Sequence, residues 1–326
     1  MTKKELHKNM NINVWIIGAG NIGIEYAKIL EDLKIEYTLI TRSVKSANYA
    51  KKSINAEVIS GGLIKYIENT PTLATHAIVS TQINFLSEIT IQLLEIGIQN
   101  ILIEKPGGLS IKELCEIDNL AEEKNSKVYI AYNRRYFSSV LKTIEIVKNR
   151  NNITSFHFEF TEWSHKINTS MYPKEVLNNW IISNSSHLID LAFYICGSPK
   201  VLHSTVKGKL DWHPTGSIFT GSGETGDEIP FTYFANWISP GRWSLEILTK
   251  TERIILRPLE TLKIQKIDSL TLDEYPIDNV DDINYKPGYF KQTKEFINNS
   301  NPNLLTIKEQ INNFKNIYYK IYQQEE

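Results

Sequence analysis

Over the first 131 residues, short apolar runs alternate with stretches in which apolar side chains recur every three or four positions. The runs Ile12–Ile17, Tyr37–Ile40, His76–Ser80, Asn100–Ile103 and Val128–Ala131 are strand-sized and show little polar alternation. Between them Ile22, Tyr26, Ile29, Leu30 and Leu33 fall on one helical face. Ile89, Leu93 and Leu94 do the same, and later Ile111, Leu114, Ile117 and Leu120. Strands apolar on both faces and separated by helices predict βαβ units, and so a doubly wound parallel sheet covered on both sides.

The pattern changes after Ala131. Tyr136–Lys148 reads as one more helix. In Ile153–Trp163, Phe156, Phe158 and Phe160 alternate with His157, Glu159 and Thr161, the mark of a strand with one buried face. Val176–Cys196 reads as a single helix stopped by Gly197 and Pro199. Strand-like segments follow at Lys200–Leu210, Phe231–Ile238, Arg242–Thr249, Arg253–Leu256 and Leu262–Ile267. Trp212–Asp227, rich in Gly, Ser and Thr, reads as a long loop. Helices over Tyr289–Asn298 and Ile307–Tyr322 close the chain. The expected division is an α/β domain over residues 1–131 and a second α/β domain over 132–326.

A length of 326 residues is about twice the usual ~150-residue domain, which agrees with two domains. With 36 Lys plus Arg against 37 Asp plus Glu, the net charge of −1 argues against a nucleic-acid footprint or a polybasic membrane contact. The start, MTKKELHKNM, has no apolar run behind it long enough for a signal peptide, and no stretch approaches the ~20 apolar residues of a membrane span. Cys115 and Cys196 are the only cysteines, so neither a disulfide framework nor a multi-cysteine zinc site is expected. These features describe a cytoplasmic protein of a reducing compartment.

Three motifs carry chemistry. Gly18-Ala19-Gly20-Asn21-Ile22-Gly23 follows the first strand and opens the first helix, the context in which GxGxxG binds a dinucleotide. The first glycine permits the turn, the second lets backbone approach a pyrophosphate, and the third lets helix pack on strand. Glu104-Lys105-Pro106 ends the strand after Asn100, where open parallel sheets bind ligands; Pro106 biases Lys105 toward extended backbone. A lysine ammonium there can exchange a proton with a reacting oxygen. In His187-Leu188-Ile189-Asp190 the two polar residues share a helical face, so Asp190 either orients the imidazole or satisfies a nearby backbone group. The seven His and two Cys show no metal-ligand spacing.

Taken in order, Gly18–Gly23, Glu104-Lys105-Pro106, Ala131-Tyr132-Asn133-Arg134-Arg135-Tyr136 and His187-x-x-Asp190 running into Tyr194-Ile195-Cys196-Gly197 resemble the Gfo/Idh/MocA oxidoreductases over nearly the whole chain. The resemblance implies a Rossmann domain followed by an α+β domain on a large, mostly antiparallel open sheet. It implies NAD(P)-dependent chemistry at a CH–OH or keto group of a sugar, sugar derivative or nucleotide sugar. It assigns Lys105 and His187 as catalytic and places Gly18, Gly20, Asn21, Ile22, Gly23, Ser80, Thr81, Glu104 and Lys105 around the cofactor. Arg134, Ser183 and Asn184 fall near the substrate, and pairing of the open sheets gives a homodimer or homotetramer. Trp163, His165, Trp212 and His213 suit a carbohydrate, although each also fits a core or interface position. Local motifs, among them Trp212-His213-Pro214 and Lys286-Pro287-Gly288-Tyr289, resemble a subgroup associated with bacterial surface-sugar biosynthesis.

One departure stands out. Many members carry an aspartate four residues before the histidine; here that position is Ser183. The site then relies on Lys105 and His187, or the fold serves as a non-catalytic cofactor- or ligand-binding regulator. The cofactor can also be read from residues. The second strand ends Leu39-Ile40-Thr41-Arg42-Ser43 with no acid at its tip, and Glu36 lies ~15 Å back along it at ~3.3 Å per residue. Arg42 can grip a 2′-phosphate with Thr41 and Ser43, and Lys45 adds charge, so NADP(H) is expected over NAD(H). If Arg42 only stacks on adenine, both cofactors are accepted.

Overall fold

The computed structural model describes residues 12–69, 72–299 and 302–323. The basic start of the chain, residues 1–10, lies outside the described residues. Two compact units emerge: one runs to Ala131 and resumes over Tyr289–Lys308, and the other covers Tyr132–Gly288 and the chain from Glu309.

In the first unit, β1 (Asn13–Ile17), β2 (Glu36–Thr41), β3 (Val58–Ser60), β4 (His76–Val79), β5 (Asn100–Glu104) and β6 (Lys127–Ala131) run parallel in the order β6-β5-β4-β1-β2-β3. This is the doubly wound arrangement that the apolar runs predict. Val14, Trp15 and Ile16 are fully buried, as are Ala77–Val79 and Ile101–Ile103, because helices cover both faces. A seventh strand, Leu305–Thr306, lies antiparallel on β6.

The expected second domain over 132–326 is therefore interrupted, because the helix Tyr289–Ile297 and the strand after it belong to the first unit. The reason is local. The ring of Tyr289 meets that of Tyr26 at 5.1 Å, and Phe296 meets His76 at 5.2 Å.

The second unit holds β7 (Ile153–Glu159), β8 (Pro199–Lys207), β9 (Ile218–Thr225), β10 (Pro230–Asn236), β11 (Ser244–Thr249), β12 (Glu252–Leu256), β13 (Lys263–Lys266) and β14 (Asp273–Glu274). Their order is β14-β13-β12-β11-β7-β10-β9-β8, antiparallel except for the parallel pair of β7 and β10. The Phe156/Phe158/Phe160 face is buried, and Phe193 of the helix Ser186–Cys196 packs edge-on against Phe156, Phe158 and Phe231.

Two expectations need correction here. The segment Trp212–Asp227 is not a long loop, since β9 occupies its second half and pairs with both β8 and β10. Its glycines lie under aromatic rings: a Cβ on Gly221 would come within 2.3 Å of the Tyr233 ring, and one on Gly223 within 2.7 Å of Phe231. Glycine in a strand interior often marks such close approach. Val176–Cys196 is also not one helix. A turn of helix over Lys174–Asn178 passes into a π-helical turn, Ile181–Ser185, before Ser186–Cys196 begins.

Candidate active site

In the first unit the glycine turn has the geometry its spacing requires. Gly18 has φ of +116°, and a Cβ on it would lie 2.5 Å from the Ser80 carbonyl oxygen. A Cβ on Gly23 would meet Gly18 O at 1.8 Å, so only glycine lets the helix Asn21–Leu33 pack this close to β1. Gly20, which caps that helix, has no atom within 4 Å of the same position. The space beside Gly20 is a cradle for a ligand's phosphates at the helix N-terminus. Ser80 fixes the turn by donating to Gly18 O at 3.1 Å.

A cavity of about 460 Å³ opens over this turn, within the range that takes nucleotide-sized ligands (~300–1,000 Å³). Gly18, Gly20, Asn21, Ile22, Thr41, Arg42, Ser43, Ser80 and Thr81 all line it, as the sequence expects. Gly23 supports it from behind, and Lys45 is not among its walls. Ser46, Gln82, Phe85 and Glu88 are additional lining residues. Arg42 is exposed and lies with its guanidinium carbon 4.1 Å above the Phe85 ring centre. Ser43 caps the helix Val44–Ala50, accepting from Ser46 N at 3.1 Å and donating to Ser46 Oγ at 2.9 Å. The tip of β2 thus offers a cation and two hydroxyls, and no carboxylate.

Glu104 and Lys105 do not line that cavity. Glu104 is buried, and its Oε1 accepts from the hydroxyls of Tyr26 at 2.9 Å and Tyr289 at 3.2 Å. These two bonds make it an anchor between the helix Asn21–Leu33 and the helix Tyr289–Ile297. Lys105 and Pro106 occupy the centre of a turn closed by Gly107 N donating to Glu104 O at 3.1 Å, and the peptide bond between them is cis. This places Lys105 just past the carboxyl end of β5, half-buried.

In the second unit His187 is 7% exposed, its ring edge-on to Tyr132 at 5.7 Å and tilted against Trp243 at 6.2 Å. Asp190 does not serve it. Both of its oxygens are taken by Arg135, Nε at 2.8 Å and Nη2 at 2.6 Å. Burial disfavours the Arg135 charge, but the facing carboxylate outweighs it and holds the guanidinium above its usual pKa. Burial and the nearby Asp190 push the Tyr132 hydroxyl up to about 12.

Around His187 the structure gathers residues that the sequence did not single out. Glu162, 3% exposed, lies just beyond β7. Its Oε1 accepts from Asn184 Nδ2 at 2.8 Å and Ser185 Oγ at 2.7 Å, and its Oε2 from Arg242 Nη1 at 3.3 Å. Burial raises the Glu162 pKa, while Ser185, Arg242 and Asn184 draw it back. Ser183 faces away, with its hydroxyl on Val176 O at 3.2 Å. Here the π-helical turn matters, because it brings Asn184 and Ser185 together onto the Glu162 carboxylate.

Above Glu162 runs a ladder of cations and rings. Lys166 lies 4.4 Å from the Trp163 ring centre, and Arg242 5.0 Å from Trp163 and 4.9 Å from Trp243. Arg134 lies 4.6 Å from Trp243. Trp163 belongs to this ladder and is 43% exposed. By contrast Trp212 and His213 pack into a separate cluster, Trp212 stacked on Trp237 at 6.0 Å and His213 fully buried. His213 is a core residue, and Trp212 is half-buried against it. His165 is exposed beside Trp163. Among the described residues no cluster of His, Cys, Asp and Glu could hold a metal, and no helix is long and apolar enough to cross a membrane.

A glycine turn of this geometry at the carboxyl end of an inner parallel strand, followed by a mainly antiparallel second sheet, defines a two-unit dinucleotide-binding α/β protein. Residues 12–132 match the family model described as "Oxidoreductase family, NAD-binding Rossmann fold". That stretch carries the NAD-binding Rossmann domain of the Gfo/Idh/MocA oxidoreductase family. No curated relative matches the sequence.

Several solved structures share the fold over nearly the full length. Levoglucosan dehydrogenase, in complex with NADH and levoglucosan, aligns with a TM-score of 0.73 at 17% identity, covering 96% of this chain and 97% of its own. The UDP-N-acetylglucosamine 3-dehydrogenase GnnA from Acidithiobacillus ferrooxidans gives 0.73 at 11% identity, covering 96% and 98%. An oxidoreductase from Agrobacterium radiobacter, in complex with NAD+, L-tartaric acid and magnesium, gives 0.75 at 11% identity, covering 97% and 95%.

Proposed function

We propose that the protein is an NADP(H)-preferring oxidoreductase acting on a CH–OH or keto group of a sugar, sugar derivative or nucleotide sugar. The observation that carries the cofactor half is the acid-free tip of β2, where Arg42, Ser43 and Ser46 line the cavity over Gly18–Gly23. A carboxylate at this tip would accept from the ribose hydroxyls and repel a 2′-phosphate; a guanidinium with its N–H edge open does the reverse. Sugar dehydrogenases among the fold relatives support the substrate half.

The nicotinamide, when bound, supplies or accepts the hydride. Gly18, Gly20 and Ser80 shape the turn that receives the cofactor's phosphates. By the family resemblance Lys105 and His187 are the proposed catalytic residues, each a side chain able to exchange a proton with a reacting oxygen. Ser183 contributes no charge.

NADPH is expected to bind at least ~10-fold more tightly than NADH, since charge-assisted contacts contribute ~1.5–3 kcal/mol each. Arg42→Ala should weaken NADPH and leave NADH nearly unchanged. Fluorescence titration reads both constants, and equal values in the unmodified protein would overturn the assignment. The substrate half is tested by following NADPH consumption with a panel of keto-sugars.

The outer face of the second sheet adds an expectation about assembly. Along β10 the exposed positions alternate with buried ones, and Phe234 stays 37% exposed. Pairing of such faces in a homodimer or homotetramer would cover them. Light scattering at micromolar concentration should give at least twice the monomer mass; a monomer contradicts it.

A further inference from the structure

We infer that the ladder of Lys166, Trp163, Arg242 and Trp243 is a subsite for an anionic carbohydrate, with the sugar ring on Trp163 and a carboxylate or phosphate on Arg242 and Lys166. The inference rests on the reading of the protein as an oxidoreductase of sugar derivatives, and it narrows the substrate to a charged one.

The turn builds the first half of the subsite. Trp163 caps the 3₁₀ turn Ser164–Lys166, and Lys166 N donates to Trp163 O at 2.9 Å. Residues three apart eclipse one another in a 3₁₀ turn, so the ammonium comes to rest over the indole. The indole is held by Nε1 donating to Gly241 O at 2.8 Å, which ties it to the segment carrying Arg242.

Arg242 makes one hydrogen bond, from Nη1 to Glu162, and its side chain is 44% exposed. A guanidinium stacked on rings keeps its donors in its own plane, pointing outward from the stack, where an oxyanion can meet two of them. Lys166 is exposed and has no ion-pair partner among the described residues. The charge balance favours an anion. Lys166, Arg242 and Arg257 face two carboxylates: Glu162, bonded to Arg242, and Glu159, 3.7 Å from Arg257. Both carboxylates are buried, whereas Lys166 and Arg257 are exposed and the Arg242 side chain is 44% exposed. Trp163, 43% exposed, adds apolar indole surface beside the two cations that a sugar's C–H groups can meet.

Calorimetric titration of the intact protein, saturated with NADP+, with D-glucose, D-glucuronate and glucose 1-phosphate tests this without turnover. At least one anion should bind ~10-fold or more tightly than glucose, and the advantage should shrink between 20 and 200 mM salt. The glucuronate and phosphate arms separate the two sources of charge. Arg242→Gln and, should that variant fold poorly, the change Lys166→Gln at an exposed position should each bring anion affinity toward that of glucose. Trp163→Ala should weaken every ligand alike. Equal affinities across the series, no binding of either anion, or an anion advantage that survives both glutamine changes would overturn the inference. A protein that binds NADPH and the anions but oxidises or reduces no carbohydrate would instead refute the enzymatic reading and leave the subsite standing.

Discussion

Lys105→Ala is expected to lower kcat by ~10²–10⁴, the usual contribution of a general acid–base group. At 1.36 kcal/mol per decade this is about 3–5 kcal/mol of lost transition-state stabilisation. The loss should fall on kcat, because Lys105 does not line the cavity over the glycine turn; NADPH affinity should stay within a few-fold. The fold should also hold. The turn that carries Lys105 is closed by a backbone bond, and the carboxylate before it is anchored by two tyrosine hydroxyls, none of which the substitution touches. Stopped-flow or steady-state kinetics on any accepted sugar gives kcat and KM separately. Near-normal turnover in this variant would remove Lys105 from the chemistry.

The second large effect is on stability. Asp190→Ala takes from the Arg135 guanidinium, 7% exposed as a residue and on the face of Tyr194 at 4.3 Å, the carboxylate that its Nε and Nη2 both donate to. Removing one partner of a buried ion pair costs ~3–5 kcal/mol, much of it the price of the charge left behind. Chemical denaturation should show the loss in the transition of the second unit. The double change Arg135→Met with Asp190→Leu removes both charges and should recover most of it, because a buried pair gains little over well-packed apolar groups. A loss below about 1 kcal/mol in the single variant, or a double variant no better than the single, would show that the pair is not a buried structural bridge.

The parallel sheet was legible from the sequence because strands buried on both faces must be apolar throughout. The limits of β1, β4, β5 and β6 fall within a residue or so of the apolar runs. β9 was hidden by the opposite logic. Gly221 and Gly223 read as loop residues, yet their missing side chains are what let Tyr233 and Phe231 lie across the strand. The site shows the same division. Gly18–Gly23 and the β2 tip are local, and a spacing rule finds them. Arg135 with Asp190, and Glu162 with Asn184 and Arg242, join segments separated by 55, 22 and 80 residues. No periodicity records such pairings. The one local hint, His187 three residues before Asp190, pointed to the wrong partner. Glu162-Trp163, at the point where the Phe156/Phe158/Phe160 alternation stops, was the signal available for the charged cluster.

The return of Tyr289–Lys308 to the first unit sets the order in which the molecule can be finished during synthesis. The six parallel strands have all been made once Ala131 leaves the ribosome. Tyr289, Phe296 and Leu305–Thr306 follow only after the whole intervening unit, roughly 8–30 s later at ~5–20 residues/s. Until then Glu104 lacks one of its two tyrosine donors, the ring that covers His76 and Tyr129 is missing, and β6 is an open edge. An unpaired edge strand of this kind is a template for association with other chains. A fragment ending at Ala131 would keep that edge permanently, so a well-behaved nucleotide-binding fragment needs the distant piece supplied with it.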